Sequence, residues 1–126
     1  MATKMLKNGD IRQLDFVLTT RWDYFKGQVS LSGKSTYNLI ALKKTIHQLA
    51  DPITEAFLTV GQQHGGSIDD QGRLKIPDDQ VPEVNKELTD IALQEQEVTF
   101  TPILVRDQDS IPMELMDEIF DFIEME

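Results

Sequence analysis

Four stretches of the chain place apolar residues at helical spacing. In the first, Ile11, Leu14, Val17, Leu18, Trp22 and Phe25 recur at threes and fours, which predicts a helix over residues 10–25. The preceding LKNGDI reads as an Asn8-Gly9 tight turn with Asp10 as the helix N-cap. KGQVSLSG (Lys26 to Gly33) breaks the pattern, and Gly27 and Gly33 bracket a short strand at Gln28–Leu31.

The longest signal follows. Leu39, Leu42, Ile46, Leu49, Ile53, Ala56 and Val60 alternate spacings of three and four, a heptad seam of the kind that packs lengthwise on another helix. Pro52 lies inside it and predicts a kink near Gln48–Asp51, because proline lacks the amide donor and crowds the preceding turn. Gly61, then Gly65-Gly66, end the helix. A second seam, Val81, Val84, Leu88 and Ile91, starts after Asp78 or Asp79 as cap and runs to about Gln96. Two such helices joined by a short connection fold back as an antiparallel pair. At ~1.5 Å per residue the first reaches ~40 Å and the second ~24 Å, so the N-terminal helix is needed to cover the excess.

EVTFTPILV alternates Val98, Phe100, Pro102 and Leu104, a strand that Pro102 confines to an edge or bends. SIPMELMDEIFDFIEME closes the chain as a helix capped by Ser110. Its apolar face is Met113 (or Met116), Ile119, Phe120 and Ile123, backed by Asp117, Glu118, Asp121 and Glu124. Acidic residues in its last turn oppose the helix dipole and favour fraying. The expected fold is mainly α with α+β character, in one domain over residues 1–126. It comprises an antiparallel long-helix hairpin with a β-hairpin tip, N- and C-terminal helices and a short β-sheet.

Charge sharpens this picture. The net charge is −10, but residues 1–63 carry eight Lys/Arg against five Asp/Glu, while residues 64–126 carry four against seventeen. The halves are therefore +3 and −13. An acidic half argues against direct nucleic-acid binding, which needs cations to displace phosphate counterions. It fits solubility, a basic protein partner or mimicry of nucleic-acid charge. The chain has no cysteine, which excludes disulfides, thiolate metal sites and a cysteine nucleophile. No apolar run is long enough to span a bilayer, and the N-terminus lacks a signal-peptide core, so no membrane association is expected.

Three stretches invite a chemical reading. HGGSIDDQGRLKIPDD (His64 to Asp79) could be a calcium loop with Gly72 sixth, but Ser67 would then be first, Lys75 ninth and Asp78 last, a poor ligand set. A hairpin uses every residue better: Ile68, a turn over Asp70-Gln71-Gly72, then Leu74 and Ile76 stopped by Pro77. SGKST (Ser32 to Thr36) holds the Gly-Lys-Ser of a phosphate loop. The earlier glycine, Gly27, is one residue too far away, no apolar strand precedes it, and Ser32 or Ser35 reads instead as a helix cap. His47 and His64 are too few for a zinc site and read as helix-flank and helix-end residues. Trp22, Tyr24 and Phe25 form an aromatic cluster assigned to the core.

The succession of LKNGDI, SGKSTYNL, IDDQGRLKI, PEVNKELTDI and EVTFTPI resembles a family of small tailed-phage and prophage proteins of unknown function. Its members show a similar LKNG start, Gly-Lys helix entry, DxxG hairpin and (F/V)NKEL helix before an EV strand. The likeness covers residues 5–125, and the chain departs from it at Pro52 and at Val84, where an aromatic is common. It implies a phage origin and a helix–β-hairpin–helix shape, and supplies no activity and no site residues. The resulting expectation is a non-enzymatic virion component or assembly factor that works by protein–protein contact, in the host cytoplasm or the virion. The alternative is an acidic inhibitor of a host or anti-phage defence protein. No catalytic, cofactor or metal residues are expected. The candidate partner contacts are Asp69, Asp70, Asp78, Asp79, Asp117, Glu118 and Asp121. The partner is another protein, from phage or host, or a second copy of this chain.

Overall fold

The computed structural model describes residues 1–126. It opens with a strand, β1 (Ala2–Lys7), where the apolar pattern gave none. β1 pairs antiparallel with β4 (Glu95–Phe100), from Ala2 opposite Phe100 to Lys7 opposite Glu95. The pairing explains why ATKMLK is extended. Ala2, Lys4 and Leu6 turn inward while Thr3, Met5 and Lys7 face out, a period-two alternation too weakly apolar to read alone.

Asn8-Gly9 is not a turn. It is the first turn of α1 (Asn8–Asp15), and Asp10 lies inside that helix rather than capping it. The cause is a tertiary clamp. The buried Asn8 gives its backbone N–H to Gln94 O (2.8 Å) and its side-chain amide to Ile91 O (3.0 Å). Its Oδ1 accepts from Gln96 Nε2 (2.7 Å). One residue thus joins the start of α1 to the end of α4 (Val81–Leu93) and the start of β4.

The helix expected over 10–25 is divided. A π-helical segment follows α1 at Phe16–Thr20, closed by Arg21 N–H on Phe16 O (3.1 Å), and the four-residue α2 (Trp22–Phe25) comes next. The wider turn re-phases the apolar stripe: Ile11, Leu14, Val17, Leu18 and Phe25 are buried, while Phe16 is left half exposed. Of the aromatic cluster, Phe25 is buried and Trp22 packs on the core, but Tyr24 is exposed. The strand expected at Gln28–Leu31 reduces to a 3₁₀ turn at Lys26–Gln28 and an isolated bridge from Ser30 to Ser110.

α3 runs unbroken from Gly33 to Gln63, through Pro52. Pro52 is exposed, so the amide it lacks is missing on the solvent side of the helix. The buried stripe is Leu39, Leu42, Ile46, Ala50 and Ile53, continuing through the partly buried Phe57 to Gly61. Leu49, Ala56 and Val60 of the heptad are only half buried. A straight helix drifts about 20° per heptad, and here burial follows the 3.6-residue period rather than the seam.

α3 ends in a Schellman arrangement: Gly66 N–H reaches Gly61 O (2.8 Å), Gly65 N–H reaches Gln62 O (3.1 Å), and Gly65 is left-handed at φ 83°. The hairpin follows as β2 (Ser67–Ile68) and β3 (Leu74–Lys75), with Gly72 left-handed as expected. α4 packs on α3 and α1 and stops at Leu93, three residues before the expected end, where Gln94 turns extended to enter β4. The antiparallel long-helix hairpin with its β-hairpin tip is therefore present.

Pro102 does more than bend the next strand. It divides it into β4 and β5 (Ile103–Val105), which join different sheets. The last stretch is also divided. α5 (Met113–Ile119) begins after Pro112, so Ser110 does not cap it, and a 3₁₀ turn at Phe120–Phe122 leads into β6 (Ile123–Met125). β6 pairs parallel with β5, Ile103 opposite Ile123. The acidic end expected to fray is held as a strand. Its buried residues are Leu115, Ile119 and Phe122, while Met113 and Phe120 are exposed, so only Ile119 of the expected face is in the core. The core joins these residues with those of α1, α3, β4 and β5 in one cluster.

Candidate functional site

The seven acidic candidates separate into two places. At the tip, Asp69 is a structural residue. Its Oδ1 accepts the backbone N–H of Gln71 (2.9 Å) and Arg73 (2.8 Å), and its own N–H is given to Arg73 O (2.8 Å). That side chain replaces a backbone turn and holds Gly72 in place. Asp70 projects freely from the same turn, and Asp78 and Asp79 are exposed in the 3₁₀ turn Asp78–Gln80. Neither Asp78 nor Asp79 caps α4, because the residue before that turn is Pro77 and no side-chain cap bond forms.

Asp117, Glu118 and Asp121 lie elsewhere, on the groove between α1 and α5. The groove has two adjoining hollows that share Gln13 and Glu118 as their common wall. One, of ≈ 190 Å³, has Leu6, Leu14 and Phe122 beneath Asp10, Glu118 and Asp121. The other, of ≈ 230 Å³, has Phe16, Val17 and Phe25 beneath Glu114, Asp117 and Glu118. Tip and groove share no lining residue; the hollow at the tip is formed by residues 69–75 alone.

The local fold explains how residues a hundred positions apart meet. β1 delivers Leu6 to the start of α1, the π segment turns Phe16 outward, and α5 lays its acidic side along the opening with Leu115 and Ile119 anchored below. The loop leading into α5 is fixed by Asp109, whose side chain is almost fully covered. Its carboxylate takes Arg106 N–H (2.8 Å) and the guanidinium through Nε and Nη2. The hydrogen bonds from Arg106 hold the Asp109 carboxyl below its usual range and raise the Arg106 guanidinium.

Two of the five groove carboxylates already have cations: Glu114 pairs with Arg21 (3.2 Å) and Asp121 with Lys4 (2.8 Å). Arg21 also lies over the rings of Tyr24 and Phe25, at 5.3 and 4.9 Å from their centroids. Asp10, Asp117 and Glu118 have no ion-pair partner. Asp10, Glu114 and Phe16 were not anticipated as site residues. One sequence signal pointed to Phe16, a large apolar residue off the Ile11–Leu14–Val17 face; nothing local ties it to α5.

Both histidines act as staples between helices. His47 on α3 meets Asp15 of α1 at 2.9 Å and Asp51 at 3.7 Å. His64, the residue after α3, meets Gln80 Oε1 at 2.9 Å through Nδ1 and Glu87 Oε2 at 2.8 Å through Nε2. Both are raised above the ordinary imidazole value, His47 chiefly by its hydrogen bond and charge interaction with Asp15, His64 by the bonds to Gln80 and Glu87. Asp51 lies one turn beyond His47 on the same helix, whereas Asp15 and Glu87 arrive from other helices, where sequence spacing does not place them.

At SGKST, Ser32 caps α3 by accepting Ser35 N–H (3.2 Å). The buried Ser35 donates its hydroxyl to Leu104 O (2.6 Å), so the serine of the Gly-Lys-Ser triplet is committed to tying α3 to β5. No group of three or more His, Asp or Glu side chains is placed to hold a metal ion, and no helix is long and apolar enough to cross a membrane. No family model, curated protein or solved structure matches the chain.

Proposed function

We propose that this is a non-catalytic phage protein that works by binding another protein through the face formed by α1 and α5. The observation that carries the reading is the groove. It sets the half-exposed Phe16 and an apolar floor against a row of carboxylates, three of them without a cation. Such a surface combines an apolar centre with a charged rim, as recognition surfaces do. Further exposed apolar side chains stand at the two ends of α5, Met113 at its start and Phe120 in the turn just after it.

A second reading is favoured by the same clustering. Carboxylates gathered along α5 are what an inhibitor imitating nucleic-acid charge needs, with a host nucleic-acid-binding protein as target. Phe16→Ala separates the two, because charge mimicry depends on the carboxylates and ionic strength alone, whereas apolar anchoring is weakened when the Phe16 ring is removed.

The deciding experiment places a photo-crosslinking residue at Phe16 or at Asp70 in cells that carry the phage. Crosslinks to one protein from Phe16 and none from Asp70 support the reading. No crosslinked protein from either position counts against it.

A further inference from the structure

We propose that the occupant of the α1–α5 groove is a cationic amphipathic helix of the partner protein. This rests on the reading of the groove as a protein-binding surface and names what it binds. Two observations select that chemistry over others.

The first is shape. The hollows adjoin along α1 and the π segment that follows it, from Asp10 to Arg21, on the order of 15 Å of helical rise. A helix laid in such a groove offers apolar side chains at i, i+3 or i+4, and i+7 to successive hollows, with the wall at Gln13 and Glu118 between them. An extended strand would instead need free backbone partners along the groove, and both walls are helical there.

The second is charge. Asp10 stands on one wall, Asp117 on the other, and Glu118 between the two hollows, none of them neutralised within the chain. The cations that reach the groove, Lys4 and Arg21, are each held by a carboxylate. Lysines or arginines flanking the apolar stripe of the incoming helix complete these pairs, and an acidic helix meets like charge on both walls. The tip differs on both counts: its hollow sets Asp69 and Asp70 beside Arg73 and Lys75, and Leu74 is the one apolar residue lining it, while Asp70, Asp78 and Asp79 are exposed.

The test uses the full chain and a synthetic helical peptide of leucine and lysine, leucines at i, i+4, i+7 and i+11, with a glutamate-for-lysine peptide of the same length as control. Titration is followed by heat and by backbone amide shifts. The expected result is binding of the lysine peptide, with shifts concentrated at residues 10–18 and 114–122, and none of the glutamate peptide. Asp117→Lys with Glu118→Lys should weaken binding at least tenfold. Asp70→Lys with Asp79→Lys makes the same charge change at the tip and should weaken it less than threefold. Phe16→Ala, which alters no charge and sits half exposed, should weaken it about fivefold.

Equal losses from both charge reversals, or no effect of Phe16→Ala, would show diffuse electrostatic attraction and overturn the proposal. So would failure of the lysine peptide to bind. Photo-crosslinking from Phe16 separates the two levels: a captured partner with no cationic helix in its crosslinked segment removes this proposal and leaves the protein-binding reading standing.

Discussion

The tip and the groove both present carboxylates and are built in opposite ways. The tip is local. The bonds that close its turns join residues within five positions, from Gly61–Gly66 at the helix end to Asp69–Arg73 in the turn, and His64 ties its base to Gln80 and Glu87. The groove is assembled from β1, α1, the π segment and α5, and its opposite walls are about a hundred residues apart in sequence. In the hairpin one aspartate, Asp69, is committed to the geometry of the turn itself. In the groove the fold is held from beneath by apolar residues, and three of the five carboxylates above, Asp10, Asp117 and Glu118, have no cation.

The largest test of that contrast concerns what holds each region. Leu115 is fully buried beneath α5, and Leu115→Ala should cost about 3 kcal/mol through lost burial and the cavity left behind. Ile68 in the tip is 49% exposed, and Ile68→Ala should cost under about 0.5 kcal/mol. Urea unfolding midpoints measure both. Similar losses would mean that the tip is part of the cooperative core and the contrast is false.

The same contrast governs what the sequence could tell. Ile68, Gly72 and Leu74 give the hairpin because its turn chemistry is contained in a few consecutive residues. The long helix and its return partner are legible from periodicity, since burial on one side leaves a repeat. The strand character of ATKMLK is not, because it depends on a partner some ninety residues on and the segment is half polar. Nor is the break at Phe16–Thr20, where a wider turn keeps Val17 and Leu18 buried and no proline or glycine marks it. Asp117, Glu118 and Asp121 were named from sequence as contacts. Their companions Asp10 and Phe16 were not, because only the packing of α5 on α1 brings them into one surface.

Asn8 is where the two constructions meet, for α4 descends from the tip and α1 leads to the groove. Asn8→Ala removes two side-chain hydrogen bonds and leaves Ile91 O without that donor, at a cost of about 2 kcal/mol. Amide exchange should then rise at the end of α4 and the first turn of α1 together. Exchange confined to α1 would mean that the joint is held by β1–β4 pairing and not by this side chain.

A smaller and more local effect is expected at the helix end. A Cβ on Gly66 would lie 2.6 Å from Gly61 O, the atom that closes α3, and backbone cannot yield as a side chain does. Gly66→Ala should therefore displace the hairpin at a local cost of about 1–2 kcal/mol, in the range of overpacking. Exchange should quicken over residues 67–75, with the amides of residues 114–122 unchanged. A shift that reaches α5 would show the two regions to be mechanically coupled.

The smallest effect is the one that pH reveals. His64 bridges Gln80 and Glu87, and those bonds raise its pKa above the ordinary imidazole value of about 6.5. A group with a raised folded pKa adds stability that is fully present below the unfolded value and is lost as pH rises through the folded one. The clasp between the end of α3 and α4 should then loosen from mildly acid toward alkaline pH. His64→Gln should flatten that dependence for the tip amides, Gly65 to Lys75. The staple of His47 to Asp15 and Asp51 carries the same sign and lies against α1, nearer the groove. Its loss in His47→Gln should flatten the pH response of α1 and leave the tip's intact. Two histidines with one sign thus report on two regions separately, and a single titration shared by tip and α1 amides would erase the division between them.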